Sequence, residues 1–238
     1  MYDMSYLKTA EKVTSFNVKA TDFSTLKYKK EIQYLFNKYF FPKFDLDSTI
    51  KSTNLDKNQL NSLISRLKGM GNDMFMKMHN YNLKGIGPGE VTIFFLMDHA
   101  YLGGGSSAGA DIVIGNNKYE VKAIKVSSDK KAYNFYTGGT VIVNDIIEDM
   151  LKIAKANSKP GNPNAISGLG DLKKLDPANY ERIERKYAKR AYDDYFQYHK
   201  TIFINNNTGF IESIKLVKES DIEIGEITAG RIKPKVAL

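Results

Sequence analysis

Asp111, Glu120 and Lys122 are the residues of this chain whose types and spacing best suit chemistry. Two carboxylates and one ammonium group fall within the short segment from residue 109 to residue 126. Carboxylates hold hard cations such as Mg²⁺ and Mn²⁺, and an ammonium group beside them stabilises developing negative charge. If folding brings the three side chains together, they have the composition of a metal-dependent hydrolytic site.

Strand geometry places these residues on one face of a predicted β-hairpin. Residues 110–114 and 119–126 form the strands and residues 115–118 the turn, because Asn and Gly tolerate the positive φ of tight turns. Successive side chains in a strand point to opposite faces, so the register decides which residues meet. With Asn116 and Asn117 as the loop, the predicted cross-strand neighbours are Ile114 and Tyr119, Val113 and Glu120, and Asp111 and Lys122. A four-residue loop would preserve the same faces.

The alternative interpretation of these charges is that they lie on the solvent-facing side of an antiparallel sheet, where charged residues are common. Against it, the same face continues into Ile124 and Val126. Charged side chains are rarely buried unless they are paired or bound to metal. The hairpin alone therefore leaves both interpretations open, a functional site or charged residues on a solvent-facing surface, and the preceding segment bears on the choice.

Glu90 is a further acidic candidate, at the start of a predicted helix. Residues 85–90 read Gly-Ile-Gly-Pro-Gly-Glu and lead into an apolar segment at residues 91–97. Proline at the first helical position followed by an acidic residue is typical of a helix start. Glu90 could simply complement the helix dipole. The helix is apolar nearly all round, however, which predicts that it is buried and that Glu90 emerges from the interior.

This order of elements resembles the PD-(D/E)xK nuclease superfamily, the restriction-endonuclease-like fold. Over roughly residues 85–205, Asp111 matches the Asp of the motif, Glu120 its (D/E) position and Lys122 its Lys. Glu90 matches the acidic residue on the preceding core helix. Ala110 stands where the motif name has Pro, a departure that many members share. The resemblance suggests a phage or mobile-element member.

The resemblance implies an α/β fold whose mixed central sheet is flanked by helices, and a metal-dependent DNA endonuclease. Asp111, Glu120, the Val121 carbonyl and Glu90 would hold Mg²⁺ or Mn²⁺, with Lys122 orienting or helping to deprotonate the attacking water. The products would carry a 5′-phosphate and a 3′-hydroxyl. Restriction enzymes often dimerise to cut both strands, so a homodimer is compatible with this class.

The rest of the chain divides at about residue 80. Residues 1–80 are predicted to form a helical appendage, with helices at 25–40 and 55–68 and Gly69 as the second stop. Residues 81–238 are predicted to form the nuclease core, with a mobile loop at about 157–170 that is rich in Pro, Gly and Asn. The core elements after the hairpin are a strand at 133–136, helices at 141–157 and 177–199, and strands at 201–205 and 210–217.

Composition bounds the class of protein. The 238 residues are 42% hydrophobic, contain no cysteine and carry a formal net charge of +8. Disulfides and cysteine-bound zinc are thereby excluded. No segment has the roughly 20 apolar residues needed to span a membrane, and the first residues lack a secretory pattern, so we predict a cytoplasmic protein with no membrane partner. The excess of cations indicates a polyanionic partner, for which DNA is the expectation.

The basic residues differ in what they indicate. On the helix at 177–199 they alternate with Asp and Glu, which predicts a solvated face with i,i+4 pairs. Residues 230–235 are basic with few acidic residues among them, and they are the better candidate for phosphate contact. A flexible basic tail would have the same composition. His79, His99 and His199 are interpreted as incidental. A non-catalytic DNA-binding or virion protein that retains the fold, and an RNA-directed enzyme, stay open as alternatives.

Overall fold

The computed structural model describes residues 20–81, 85–103, 109–126, 128–130, 132–134, 144–156, 173–174, 176–197, 199–228 and 231–237. Over these residues the chain is a mixed α/β protein. The α-helices are α1 Lys29–Phe40, α2 Lys57–His79, α3 Glu90–Leu96, α4 Asn144–Ala156 and α5 Pro177–Tyr195. The β-strands are β1 Ala100–Leu102, β2 Ile112–Ile114, β3 Asn117–Val126, β4 Ala132–Asn134, β5 Lys200–Asn205, β6 Ile211–Lys215, β7 Ile222–Thr228 and β8 Arg231–Ala237. None of the described helices is both long and apolar enough to cross a membrane.

The chain divides into two compact units that interleave along the sequence. The first contains Met1–Ile124 and His199–Leu216, and the second contains Lys125–Tyr198 and Val217–Leu238. These units do not follow the predicted boundary near residue 80, because α1 and α2 share apolar contacts with α3 and with the predicted hairpin. The predicted mobile loop at 157–170 lies outside the described residues.

The strands of the first unit pair in a mixed pattern, as predicted. β1 and β2 are antiparallel, β2 and β3 are antiparallel, and β5 and β6 are antiparallel. β3 and β5 pair in parallel, with Glu120 beside Thr201 and Lys122 beside Phe203. Parallel neighbours require a long crossover connection, and here the chain between β3 and β5 supplies it.

The predicted hairpin is confirmed, but its register is wrong by two residues. Ile112 pairs with Tyr119 and Ile114 with Asn117, so Gly115 and Asn116 are the two loop residues. Gly115 has a φ of 59°, and it occupies the first loop position, where a type II′ hairpin turn requires glycine. Because side chains alternate with a period of two, this shift leaves every predicted residue on its predicted face.

One face of the first unit's sheet packs on the helices. The buried core joins the apolar residues of α1, α2 and α3 to strand residues Ile112, Ile114, Tyr119, Val121, Ile202, Ile204 and Ile211. All seven residues of α3 are buried, as its apolar sequence predicts. The predicted stop at Gly69 is wrong, since α2 continues to His79 with a local break at Gly71, whose backbone is extended.

The second unit is built on β4, β7 and β8. β8 pairs antiparallel with both β4 and β7, and the last two residues of β3 pair with β4. Residues 231–237 are therefore a strand, and the alternative of a flexible basic tail is wrong for them. The sequence analysis missed this strand because Pro234 interrupts its pattern, and proline cannot donate to a ladder.

The cations of α5 are largely paired, as the alternating charges predict. Within the helix, Arg185 contacts Glu181 and Lys189 contacts Asp193 at i,i+4 spacing. Lys186 forms an ion pair with Asp145 of α4 at 2.8 Å. Exposed pairs of this kind add little stability, but they reduce the positive field that this face offers to a polyanion.

The side chain of Asn61 on α2 caps β6, which pairs with β5 on its other side. Its Nδ2 donates to the Ile211 carbonyl at 2.9 Å, and its Oδ1 accepts from the Ile211 N–H at 2.8 Å. One amide side chain thus replaces a neighbouring strand. Loss of either bond would leave part of a half-buried backbone unsatisfied.

We predict that Asn61→Ala lowers the free energy of unfolding by about 1–3 kcal/mol, the range for unpaired buried polar groups. Urea denaturation followed by circular dichroism measures the change. Asn58→Ala is the matched control, because Asn58 lies on the same helix with an exposed side chain. Equal stability of the two variants would show that the Asn61 bonds contribute nothing.

Candidate active site

Glu90 is the first residue of α3, a helix whose residues are all buried. Its side chain is held by the chain just before the helix, where the Gly87 N–H donates to Oε1 at 2.7 Å. A Cβ on Gly87 would lie 2.7 Å from that same oxygen, so any larger residue would push the carboxylate away. The prediction that proline occupies the first helical position is wrong, because α3 begins at Glu90 and Pro88 lies before it. The predicted burial of Glu90 is confirmed, with 7% of the residue exposed.

Asp111 immediately precedes β2 and is fixed to β3 through both its backbone and its side chain. The Asp111 N–H donates to the Tyr119 carbonyl at 3.0 Å. Its Oδ2 accepts from the Val121 N–H at 2.8 Å. The carboxylate therefore continues the strand pairing beyond the end of β2, and its position along β3 is set between Glu120 and Lys122.

Glu120 and Lys122 lie on β3 with their side chains on the same face, as predicted. The Lys122 ammonium donates to Glu120 Oε1 and forms an ion pair with it. Only 16% of the lysine side chain and 14% of the glutamate side chain are exposed. Because the pair is mostly desolvated, loss of either partner would leave the other charge buried without its counter-charge, which is energetically unfavourable.

The four predicted side chains interact electrostatically. Burial, together with the neighbouring Asp111 and Glu120, raises the pKa of Glu90 to about 8, and the Gly87 hydrogen bond and Lys122 oppose that increase. Burial also raises the pKa of Glu120, a change that Lys122 opposes and Asp111 reinforces. Folding thus brings together residues from α3, from the start of β2 and from β3.

The donor set fits a divalent cation in its chemistry. Carboxylate oxygens are the ligands that Mg²⁺ and Mn²⁺ prefer, and added positive charge would offset the raised pKa values. In the described part of the chain, however, no group of three or more His, Cys, Asp or Glu side chains is placed to hold a metal ion. The acidic residues are clustered, but they do not form a completed cage.

Two of the histidines support the site through the backbone, although the sequence analysis treated all three as incidental. The His199 ring Nε2 bonds the Gly109 carbonyl, two residues before Asp111. The His79 carbonyl accepts from the Gly89 N–H at 2.7 Å and links the end of α2 to the start of α3. In the sequence, His199 was marked only by its position directly before β5. Its contact with Gly109 was not predictable, because it forms only when the crossover brings β5 back beside β3.

Thr201 is another site neighbour that the sequence did not reveal. It pairs with Glu120 across the parallel β3 and β5 strands. Thr201 is fully buried, and its hydroxyl has no hydrogen-bond partner among the described residues. No sequence pattern singles out this threonine, because it reads as an ordinary strand residue.

Comparison of the chain with protein-family models, with curated proteins and with solved structures gave no match.

The raised pKa of Glu90 predicts a stability that depends on pH. The folded chain holds this proton more tightly than the unfolded chain does, since the pKa rises from 4.5 to about 8. The contribution is therefore complete below pH 4.5 and is lost as the pH rises towards 8. We expect Glu90→Gln to remove this loss, which amounts to at most about 5 kcal/mol.

Urea denaturation in EDTA from pH 5 to pH 8 measures the effect as the difference in unfolding free energy between wild type and variant. Glu31→Gln is the control, because Glu31 is exposed on α1. A difference between wild type and Glu90→Gln that stayed constant over this range would contradict the prediction.

Proposed function

We propose that this chain is a Mg²⁺-dependent DNA endonuclease of the PD-(D/E)xK superfamily. The observation that carries the proposal is the electrostatic coupling of Glu90, Asp111, Glu120 and Lys122 within one unit of the fold. Clusters of desolvated acidic groups with raised pKa values are more common at catalytic sites than elsewhere. Several carboxylates beside one lysine are also the composition that metal-assisted phosphodiester hydrolysis requires.

The order of elements around the cluster supports a restriction-endonuclease-like core. A buried helix carries Glu90, the chain entering β2 carries Asp111, and β3 carries Glu120 and Lys122. β3 then pairs in parallel with β5 after a crossover that contains α4 and α5. Two acidic positions and a lysine beside a mixed sheet are what the superfamily resemblance implies, so this order of elements supports the proposal.

In this proposal, Asp111, Glu120, the Val121 carbonyl and Glu90 would hold Mg²⁺ or Mn²⁺. When bound, such a cation would supply a lowered pKa for the attacking water and neutralise charge on the phosphate. Lys122, an ammonium group in its ion pair with Glu120, would leave Glu120 to orient the attacking water and to stabilise the developing negative charge; it would help deprotonate that water only after giving up its own proton to solvent. The expected products carry a 5′-phosphate and a 3′-hydroxyl, and a homodimer would allow both strands to be cut.

DNA is the proposed substrate because the chain is strongly basic. Its formal net charge is +8, and its sequence pI is about 9.3. The cations of α5 are largely paired with acidic residues, so they are weaker candidates for phosphate contact. In the second unit, Lys235 of β8 lies across from Glu223 of β7. This acidic neighbour reduces the positive charge that β8 offers to phosphate, as the acidic residues do on α5.

A second candidate is a non-catalytic DNA-binding or virion protein with the same fold. The observation that favours it is the lack of a metal-holding group among the described residues. The ion pair between Glu120 and Lys122 also occupies two of the proposed catalytic groups. This candidate predicts DNA binding that does not require divalent cations.

Cleavage assays decide between the two candidates. Supercoiled, linear and single-stranded DNA, and RNA, are incubated with wild type in Mg²⁺, Mn²⁺ or EDTA. We expect metal-dependent cutting of DNA, and a loss of at least about 100-fold in rate for Asp111→Ala and for Lys122→Ala. Preference for RNA would instead indicate an RNA-directed enzyme.

Lys118→Ala is the matched control for Lys122→Ala, because Lys118 lies on the same strand with an exposed side chain. It should retain wild-type cutting. Binding of DNA by wild type without metal-dependent cutting would select the non-catalytic candidate. Equal activity of Asp111→Ala and wild type would show that any cleavage comes from another site or from a contaminant.

A further inference from the structure

We propose that Thr201 is a positioning residue for Glu120. When a divalent cation is bound, the Thr201 hydroxyl donates a hydrogen bond to the Glu120 carboxylate and holds it in place. The inference rests on the proposed function. It adds to the site a residue other than the four that the superfamily motif contains, which here are Glu90, Asp111, Glu120 and Lys122. It is carried by three observations: strand register, a buried hydroxyl without a partner, and the way the three acidic side chains are held.

Strand register places Thr201 next to Glu120. The two are paired Cα neighbours in the parallel β3 and β5 strands. Paired residues on adjacent strands project from the same face of a sheet at the strand spacing of about 4.8 Å. The next pair on that face is Lys122 with Phe203, whose ring has no polar atom to offer. Thr201 is therefore the hydrogen-bonding neighbour that β5 presents to Glu120.

The Thr201 hydroxyl is buried without a hydrogen-bond partner in the described residues. None of the residue's surface is exposed, and Oγ1 is one of the few buried side-chain atoms left unpaired. Burying a hydroxyl without a partner is unfavourable, and valine would fill the same space without that penalty. An unpaired donor at this position therefore points to an acceptor that another arrangement of the site supplies.

Glu120 is the acceptor that changes partners in the proposed reaction. In the described part of the chain, backbone N–H groups hold Glu90 and Asp111, whereas the Glu120 carboxylate is held by side chains, chiefly the Lys122 ammonium. If Lys122 turns to the attacking water, Glu120 loses this donor. Thr201 then provides a replacement from the neighbouring strand and keeps the carboxylate directed at the cation.

Thr201→Val and Thr201→Ser test the role of the hydroxyl directly. Valine keeps the shape without the donor, and serine keeps the donor without the methyl group. Mn²⁺ affinity is measured by electron paramagnetic resonance on DNA-free protein, and kcat and the Mn²⁺ concentration for half-maximal cutting are measured on supercoiled DNA. We expect valine to weaken Mn²⁺ binding and lower kcat by about tenfold, the effect of one hydrogen bond to a charged group. Serine should stay near wild type.

Thr92→Val is the matched control. Thr92 lies on α3 with 1% of its surface exposed, and its hydroxyl likewise has no partner among the described residues. Residues two apart on a helix do not share a face, so Thr92 is directed away from Glu90. Its loss should leave Mn²⁺ affinity and kcat unchanged, while any general effect of removing a buried hydroxyl would appear in both variants.

The outcomes separate this inference from the proposed function. Wild type that neither binds Mn²⁺ nor cuts DNA would overturn the function itself. Wild type that does both, with Thr201→Val equal to it, would overturn only the role of Thr201. A serine variant as impaired as the valine variant would also overturn it, because the methyl group would then be the important part. Should valine prevent folding, Thr201→Ala with the serine comparison gives the same decision.

Discussion

Removal of carboxyl groups from water is the constraint on which the first unit of this chain depends. Glu90 is almost fully buried, and Asp111 and Glu120 lie close enough to raise its pKa further. An ionised carboxylate in such surroundings needs opposite charge or hydrogen-bond donors in place of water. Lys122 supplies one positive charge against three acidic groups. With all three carboxyl groups ionised, the cluster would have a deficit of positive charge; the proton that Glu90 keeps up to a pKa of about 8 offsets part of it, and in the proposed function a divalent cation would take that role.

Backbone donors determine where the carboxylates stand. The Gly87 N–H fixes Glu90, and the Val121 N–H fixes Asp111. Both donors belong to segments whose positions follow from apolar packing, since α3 and the opposite face of β3 are in the hydrophobic core. Sites supported by packed elements are held more precisely than sites on loops alone. Glycine at position 87 is part of this support, because the carboxylate occupies the space of a Cβ.

Local patterns were sufficient to predict the faces of the hairpin but not its register. Gly115, Asn116 and Asn117 all suit a tight turn, so the sequence leaves the choice of loop residues open. The actual loop begins one residue earlier than predicted, and the pairing shifts by two. Alternation makes the shared face of Asp111, Glu120 and Lys122 insensitive to that error. The buried helix at Glu90 was equally predictable, because an apolar sequence all round requires burial.

Features that depend on distant segments were not predictable in this way. β1 is three residues long, and β8 contains proline, so neither has a clear strand pattern of its own. Thr201 lies beside Glu120 only because β5 returns next to β3 after a long crossover. An unpaired buried hydroxyl, carboxyl groups with raised pKa values and a desolvated ion pair each disfavour folding when taken singly. Their concentration around Glu120 is hard to explain by stability, whereas functional sites commonly retain such local conflicts because their chemistry requires them.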